Sequence, residues 1–248
     1  MTHTTDRPLL SIIIPAHNEE NRLPESLKQV ASFVSGQGYS IELIIVDNNS
    51  TDRTGEIARQ FAAENPYTQV LDEPRKGKGM AVRSGVLAGE GDYLIFCDAD
   101  FSMPVEEIGK FVPPALDDYD VAIASREAPG SRRVDEPEYR HLMGRVFNFA
   151  VRLLALPGIQ DTQCGFKAFR RDVAQDVFPR LTIGGWGFDV EVLFVARQRG
   201  YKLIEVPITW YYKSQSRVSP ITDSLNMLAE VLRVRWNGLR GVYHREGM

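Results

Sequence analysis

The sequence predicts an α/β fold: a mostly parallel central sheet covered by helices on both faces, in a single domain. Three observations carry that prediction. The apolar runs at 9–14, 41–46 and 93–97 are nearly continuous rather than alternating, as expected of parallel strands buried on both faces. The stretches between successive runs have helical length. Each run ends abruptly in a polar loop, so a parallel sheet would deliver these loops to one carboxyl edge, where open α/β sheets bind ligands.

In chain order, residues 9–14 read as a buried first strand stopped by Pro15, with Pro15-Ala16-His17-Asn18-Glu19-Glu20 at its ligand edge and a helix following to about Val34. Residues 41–46 form a second strand that ends in Asp47-Asn48-Asn49-Ser50-Thr51-Asp52, where Ser50, Thr51 or Asp52 can cap a helix running towards Glu64. A short third strand at 68–71 leads through Glu73-Pro74-Arg75-Lys76-Gly77-Lys78-Gly79 into a helix that ends near Ala88. The fourth strand starts at Tyr93 and runs out in Asp98-Ala99-Asp100. A fifth at 120–124 ends at Ser125-Arg126, and a final strand precedes Thr209. Residues 221–239 place Leu225, Leu228, Leu232, Trp236 and Leu239 near helical spacing.

Composition bounds the function. With 43% hydrophobic and 25% charged residues in 248, the chain can bury an ample core, and a formal net charge of −4 argues against a general nucleic-acid binder. Cys97 and Cys164 are a poor disulfide framework and fit a reducing compartment. No run approaches the ~20 apolar residues of a membrane-spanning helix, and the first seven residues lack the basic and apolar regions of a signal peptide, so a cytoplasmic protein is expected. The first strand is not followed by a dinucleotide-type glycine fingerprint, and no Gly-Lys-Ser/Thr phosphate loop occurs.

The chemistry concentrates in the polar loops. Asp98 and Asp100 stand two apart at the end of a strand, and a period of 2 aims them the same way. Two hard oxygen ligands there suit Mg²⁺ or Mn²⁺, and a metal so held could neutralise a diphosphate; the plainer reading is a polar turn leaving the core. Lys76 could reach a diphosphate while Gly77 and Gly79 let the backbone approach it, whereas Lys78 reads as a solvated charge. Asp189 and Glu191, two apart at a helix start, do not share a face, so one can serve chemistry and the other a cap or ion pair. Arg132 and Arg133 read as a solvated loop, and Trp186, Phe188 and Trp210 read as core rather than sugar-stacking residues.

The loops at 15–20, 46–52, 76–79 and 98–100, in that order, resemble the motifs of family 2 glycosyltransferases with the Rossmann-like GT-A fold. Asp161-Thr162-Gln163-Cys164-Gly165-Phe166-Lys167, Trp186-Gly187-Phe188-Asp189-Val190-Glu191, Glu205-Val206-Pro207 and Trp210 resemble its dolichyl-phosphate β-glucosyltransferase branch. The similarity runs from about Leu9 to Val218. It implies a nucleotide-sugar pocket formed by Pro15, Asn18, Glu19, Asp47, Lys76, Gly77 and Asp98, a metal at Asp98 and Asp100, and a catalytic group of Asp100, Asp189 and Arg126. Arg126, Arg140, Gln163 and Lys213 would serve the acceptor phosphate. Asn48 departs from the family pattern, where a second Asp is frequent, and Ser102 stands where a third metal ligand often occurs.

The resemblance further implies a nucleotide-sugar-binding half at about 9–126, an acceptor half at about 127–218 and a C-terminal amphipathic helix at about 219–248. The expected activity is inverting transfer of glucose from UDP-glucose to a polyprenyl or dolichyl phosphate at the membrane surface. GDP-mannose as donor, or a lipid-independent acceptor, are the alternatives. The basic segment with Lys213, Ser214, Ser216 and Arg217 would close over the diphosphate. The last helix could dock peripherally on a membrane, pair two copies as a homodimer, or cover the sheet.

Overall fold

The computed structural model describes residues 7–213 and 222–244. In order, these form β1 (Leu10–Ala16), α1 (Leu23–Ser35), β2 (Ile41–Asp47), α2 (Thr54–Glu64), β3 (Thr68–Asp72), α3 (Lys78–Ala88), β4 (Tyr93–Phe96) and β5 (Val121–Ser125). Then follow β6 (Arg132–Val134), α4 (Glu138–Leu154), β7 (Lys167–Arg170), α5 (Arg171–Val177), α6 (Phe188–Gln198), β8 (Leu203–Pro207), β9 (Thr209–Tyr211) and α7 (Thr222–Leu239). Ser214, Ser216 and Arg217 lie outside the described residues.

The main sheet has seven strands in the order β3-β2-β1-β4-β7-β5-β8, and every pairing is parallel except the two made by β7. The continuous apolar runs are explained by two cores. Ile13, Ile44 and Phe96 point to one face, beneath α3, α5, α6 and α7. Leu10, Ile12, Ile14 and Ile45 point to the other, beneath α1, α2 and the 3-10 turn Val105–Phe111. Burial on both sides removes the polar alternation that a half-exposed strand needs.

Two elements depart from the sequence reading. β7 is antiparallel and wedged between β4 and β5, with Lys167 opposite Phe96. Its four residues, Lys-Ala-Phe-Arg, are too short and too polar at their ends to announce a central strand, but they bring Gly165 beside the β4 aspartates. Arg132 is exposed as expected, but neither it nor Arg133 is in a loop. They lie in β6, which pairs parallel with β9, and Arg133 ion-pairs with Glu127 and Glu136, both at 2.6 Å.

Among the described residues no helix is long and apolar enough to cross a membrane.

Candidate active site

The carboxyl ends of β1, β2 and β4 open into one cavity of about 850 Å³, within the size range of small-molecule sites. Pro15, Glu19, Lys76, Gly77, Asp98 and Asp100 line it from the loops after the first four strands, and Arg126, Arg140, Gln163, Asp189 and Lys213 line it from the later part of the chain. Asn18 and Asp47 do not line the cavity. Asn18 has φ 52°, donates its amide to Ser50 Oγ at 3.0 Å and accepts the Thr51 amide at 2.7 Å. Asp47 accepts the Ser50 amide at 3.1 Å. These two residues brace the loops after β1 and β2 behind the wall. Asp52 accepts the Thr54 amide in a local turn just before α2, whose N-cap is Arg53 and carries no side-chain capping bond.

Asn48 has its own reason to be an amide. Its Nδ2 donates to the carbonyls of Glu73 (3.0 Å) and Arg75 (2.7 Å), while its Oδ1 accepts the Gly77 amide at 3.0 Å. A carboxylate could make only the last of these bonds. Asn48 therefore fixes the Lys76–Gly77 loop from the end of β2. Glu73 fixes the same loop through Arg75, whose guanidinium, together with Ser84 and against the cost of burial, holds the Glu73 carboxyl down at about 2. Glu19 is gripped at both oxygens by Arg22, at 2.6 and 2.7 Å.

Lys78 is the largest correction at the site. Far from being a solvated charge, its ammonium lies 2.5 Å from Asp98 Oδ1 with the side chain only 15% exposed. It also sits 5.6 Å from the Trp186 ring centroid and 5.7 Å from that of Phe188. Burial opposes its charge, but Asp98, Asp189 and Asp100 together outweigh that cost and raise its pKa. Lys167, fully buried, bonds the Asp189 carboxylate and the Cys164 carbonyl (2.7 Å). The edge is thus an interleaved set of carboxylates and ammonium groups. Arg83, further along α3, donates to the Pro179 carbonyl at 3.1 Å, off the cavity.

Asp98 is 40% exposed and Asp100 Oδ1 accepts the Ser102 amide at 2.9 Å. Among the described residues no group of three or more His, Cys, Asp or Glu is gathered for a metal. Two carboxylates at a wet edge nevertheless fit Mg²⁺ or Mn²⁺, which keeps several waters and substrate oxygens in its shell. Lys213 bonds the Asp100 carbonyl, which places it on the donor side of the cavity rather than against the arginines.

Just past the carboxyl end of β5, Arg126 is held by Asp161 through Nε (2.7 Å), Nη2 (2.9 Å) and its backbone amide (3.0 Å). Burial would raise the Asp161 pKa, but Arg126 overrides it and holds the carboxyl down at about 2. The Arg126 guanidinium also stacks 5.4 Å from the Trp210 ring, so only its Nη1 edge is left for a phosphate. Arg140 donates to the Tyr212 hydroxyl at 2.8 Å. Trp186 and Trp210 line the cavity, contrary to the core reading, while Phe188 is fully buried as expected.

The pair at the start of α6 divides its labour. Asp189 faces the cavity, whereas Glu191 is fully buried and accepts from the amides of Thr182 and Ile183, the Thr182 hydroxyl and the Tyr243 hydroxyl. On α7, Glu230 accepts the Gly187 amide at 2.6 Å and so anchors the loop that carries Trp186. Glycine is required where chains nearly touch: a Cβ at Gly165 would fall 1.9 Å from Asp98 Oδ2, and one at Gly77 (φ 127°) would fall 2.1 Å from the Gly184 carbonyl oxygen.

Sequence reasoning missed Lys78, Trp186, Trp210, Tyr212, Met143 and Phe147 as lining residues. For Lys78 a signal existed, since the first residue of a helix following a glycine loop points back to the sheet edge. For Met143 and Phe147 none did, because only the packing of α4 brings them there.

Comparison with known proteins agrees with this geometry. The profile described as "Glycosyl transferase family 2" matches residues 11–178. The chain is 30% identical to the dolichyl-phosphate beta-glucosyltransferase of Dictyostelium discoideum, over 96% of this chain and 77% of that one. It is 34% identical to the Drosophila melanogaster protein of the same name, over 88% and 72% of the two chains. In fold it is similar to glucosyl-3-phosphoglycerate synthase from Mycobacterium tuberculosis, crystallised with Mn²⁺, UDP and glucosyl-3-phosphoglycerate, with a TM-score of 0.64 and 19% identity over 92% of this chain and 78% of the other. The sheet edge, its loop order and these matches lead to one assignment: the chain belongs to glycosyl transferase family 2.

Proposed function

We propose that the chain transfers glucose from UDP-glucose to a polyprenyl or dolichyl phosphate by direct displacement, giving a β-linked lipid-phosphate glucose and UDP. One observation carries this reading: a single cavity is lined both by acids and lysines suited to a metal-bound diphosphate and by Arg126 and Arg140, suited to a second phosphate. The names of the relatives support the same acceptor and sugar.

In this reading Pro15, Glu19 and Asn48 face the nucleoside, and Lys76 and Lys78 face the diphosphate. Asp98 and Asp100 would hold the divalent ion, which when bound supplies positive charge to the leaving diphosphate. Arg126 Nη1 and Arg140 orient the acceptor phosphate. A phosphate monoester is already anionic near neutral pH, so its oxygen attacks the anomeric carbon without needing a base. The bond to the UDP oxygen breaks as the new bond forms, and UDP leaves with the electron pair. Asp189, engaged by Lys167, then acts as an orienting group that keeps Lys78 in place rather than as a proton acceptor.

The test is incubation with radiolabelled UDP-glucose, Mg²⁺ or Mn²⁺ and a polyprenyl phosphate. Labelled lipid from UDP-glucose and little from GDP-mannose is expected; no lipid product from any donor would sink the proposal.

A further inference from the structure

Two neighbouring helices turn their apolar residues outward. At about 100° per residue, Leu142, Val146, Phe149 and Leu153 of α4 fall within roughly 60° of one another, and they are 64% to 75% exposed. The other side of α4 holds fully buried Val151 and carries Arg140, Gly144 and Phe147 to the cavity. α7 packs against α4 and repeats the pattern. Its Leu225, Leu232, Trp236 and Leu239 are 51% to 70% exposed, while Val231 and Val234 are buried. A helix on a water-facing surface has the reverse polarity, and a contiguous exposed apolar patch marks a partner.

We propose that the α4–α7 face docks into the headgroup–acyl boundary of an anionic lipid bilayer, so that a lipid-linked phosphate enters the cavity from the membrane past Met143 and Phe147. The identity of that lipid rests on the function proposed above; the docking does not.

Charge selects a bilayer over a second copy of the chain. Arg145 is exposed beside the α4 stripe, and Arg233, Arg235 and Arg240 are exposed on or just beyond α7. Past their first turns the two helices carry a single carboxylate, Glu230, and it is turned inward to Gly187. Two copies meeting on this face would set arginines against arginines, with the exposed Glu138 at the start of α4 as the single acid on the described stripe to answer them, whereas anionic headgroups complement them. Continuity points the same way, because α4 is at once the outward face and a wall of the cavity, so a chain lying in the bilayer has its headgroup at Arg140.

The experiment is co-sedimentation of the full chain with vesicles of phosphatidylcholine alone or with phosphatidylserine, comparing wild type with the combined variant Leu142→Ser/Val146→Ser/Phe149→Ser/Leu153→Ser. None of these four side chains lines the cavity. We expect wild type to sediment with the anionic vesicles and to be released by salt, and the variant to partition on the order of a hundredfold less. Transfer to a short-chain, water-soluble acceptor should be unchanged in the variant, while transfer to long-chain acceptor in vesicles should fall. Wild type that stays in the supernatant with both vesicle types overturns the proposal. So does a wild-type dimer that the four serines convert to monomer with vesicle binding intact. Vesicle binding by a protein that transfers glucose to no lipid would leave the docking standing and remove the function proposed above.

Discussion

Asp98 and Asp100 look equivalent as neighbours at the end of β4, yet they sit in different electrostatic surroundings. Asp98 has a standing partner in Lys78 at 2.5 Å, whereas the Asp100 carboxylate accepts the Ser102 amide in its own turn. Asp100→Ala should therefore lower kcat on the order of a hundredfold without altering the melting temperature. Asp98→Ala should reduce activity less and also lower the melting temperature, because it strips the first counter-charge from a buried ammonium. Parallel kinetics and thermal melts on the two variants check this. The Arg126–Asp161 pair makes a prediction in pH. Asp161 is held at about 2 in the fold, below the ~3.9 of an unfolded aspartate. Its contribution, about 2 kcal/mol, is complete above pH ~4 and is lost as pH falls through about 2. Asp161→Asn should be less stable than wild type at neutral pH, and the gap should shrink between pH ~4 and ~2 in denaturant titrations run across that window. A gap that is constant with pH would mean that the pair contributes by packing alone.

At the scale of elements, the donor-side loops were legible in the sequence because each follows a strand whose double burial leaves an unbroken apolar run, and the polar residues after it can go only to the edge. β7 and the packing of α4 were not legible. β7 is four residues long and includes a buried lysine, which no periodicity rule assigns to a sheet centre; its cost is met by Asp189 and the Cys164 carbonyl. Gly165, just before β7, is where this matters. Gly165→Ala should push Asp98 out of place and cut kcat/KM for UDP-glucose at least tenfold while the chain still folds, as read by steady-state kinetics beside circular dichroism. Glu230 ties α7 to the loop of Trp186, so Glu230→Ala should raise the donor KM several-fold, and Glu230→Gln, which keeps the acceptor oxygen for the Gly187 amide, should restore most of it.

At the scale of the molecule, the cavity is assembled from two kinds of information. Its sheet-edge wall is local: motifs at the ends of β1, β2, β3 and β4 arrive together because parallel topology sends them there, and their order along the chain already specifies the family. The rest of its lining is non-local. Arg126, Arg140, Trp210 and Met227 come from distant segments that meet only when β7 enters the sheet and α4 packs on α7. That is why Lys78 and the two tryptophans were misread as solvent or core, and why Asn18 and Asp47, correct in their loops, turned out to brace the wall rather than line it.

The metal-side acids and lysines and the two arginines line one space, and the proposed reaction is a single displacement within it. The most direct test is the anomeric configuration of the lipid product by NMR. UDP-glucose carries an α linkage, and direct attack across the cavity predicts a β-glucosyl phosphate with one UDP released per lipid formed. An α-linked product, or UDP released without glucosylated lipid, would contradict it.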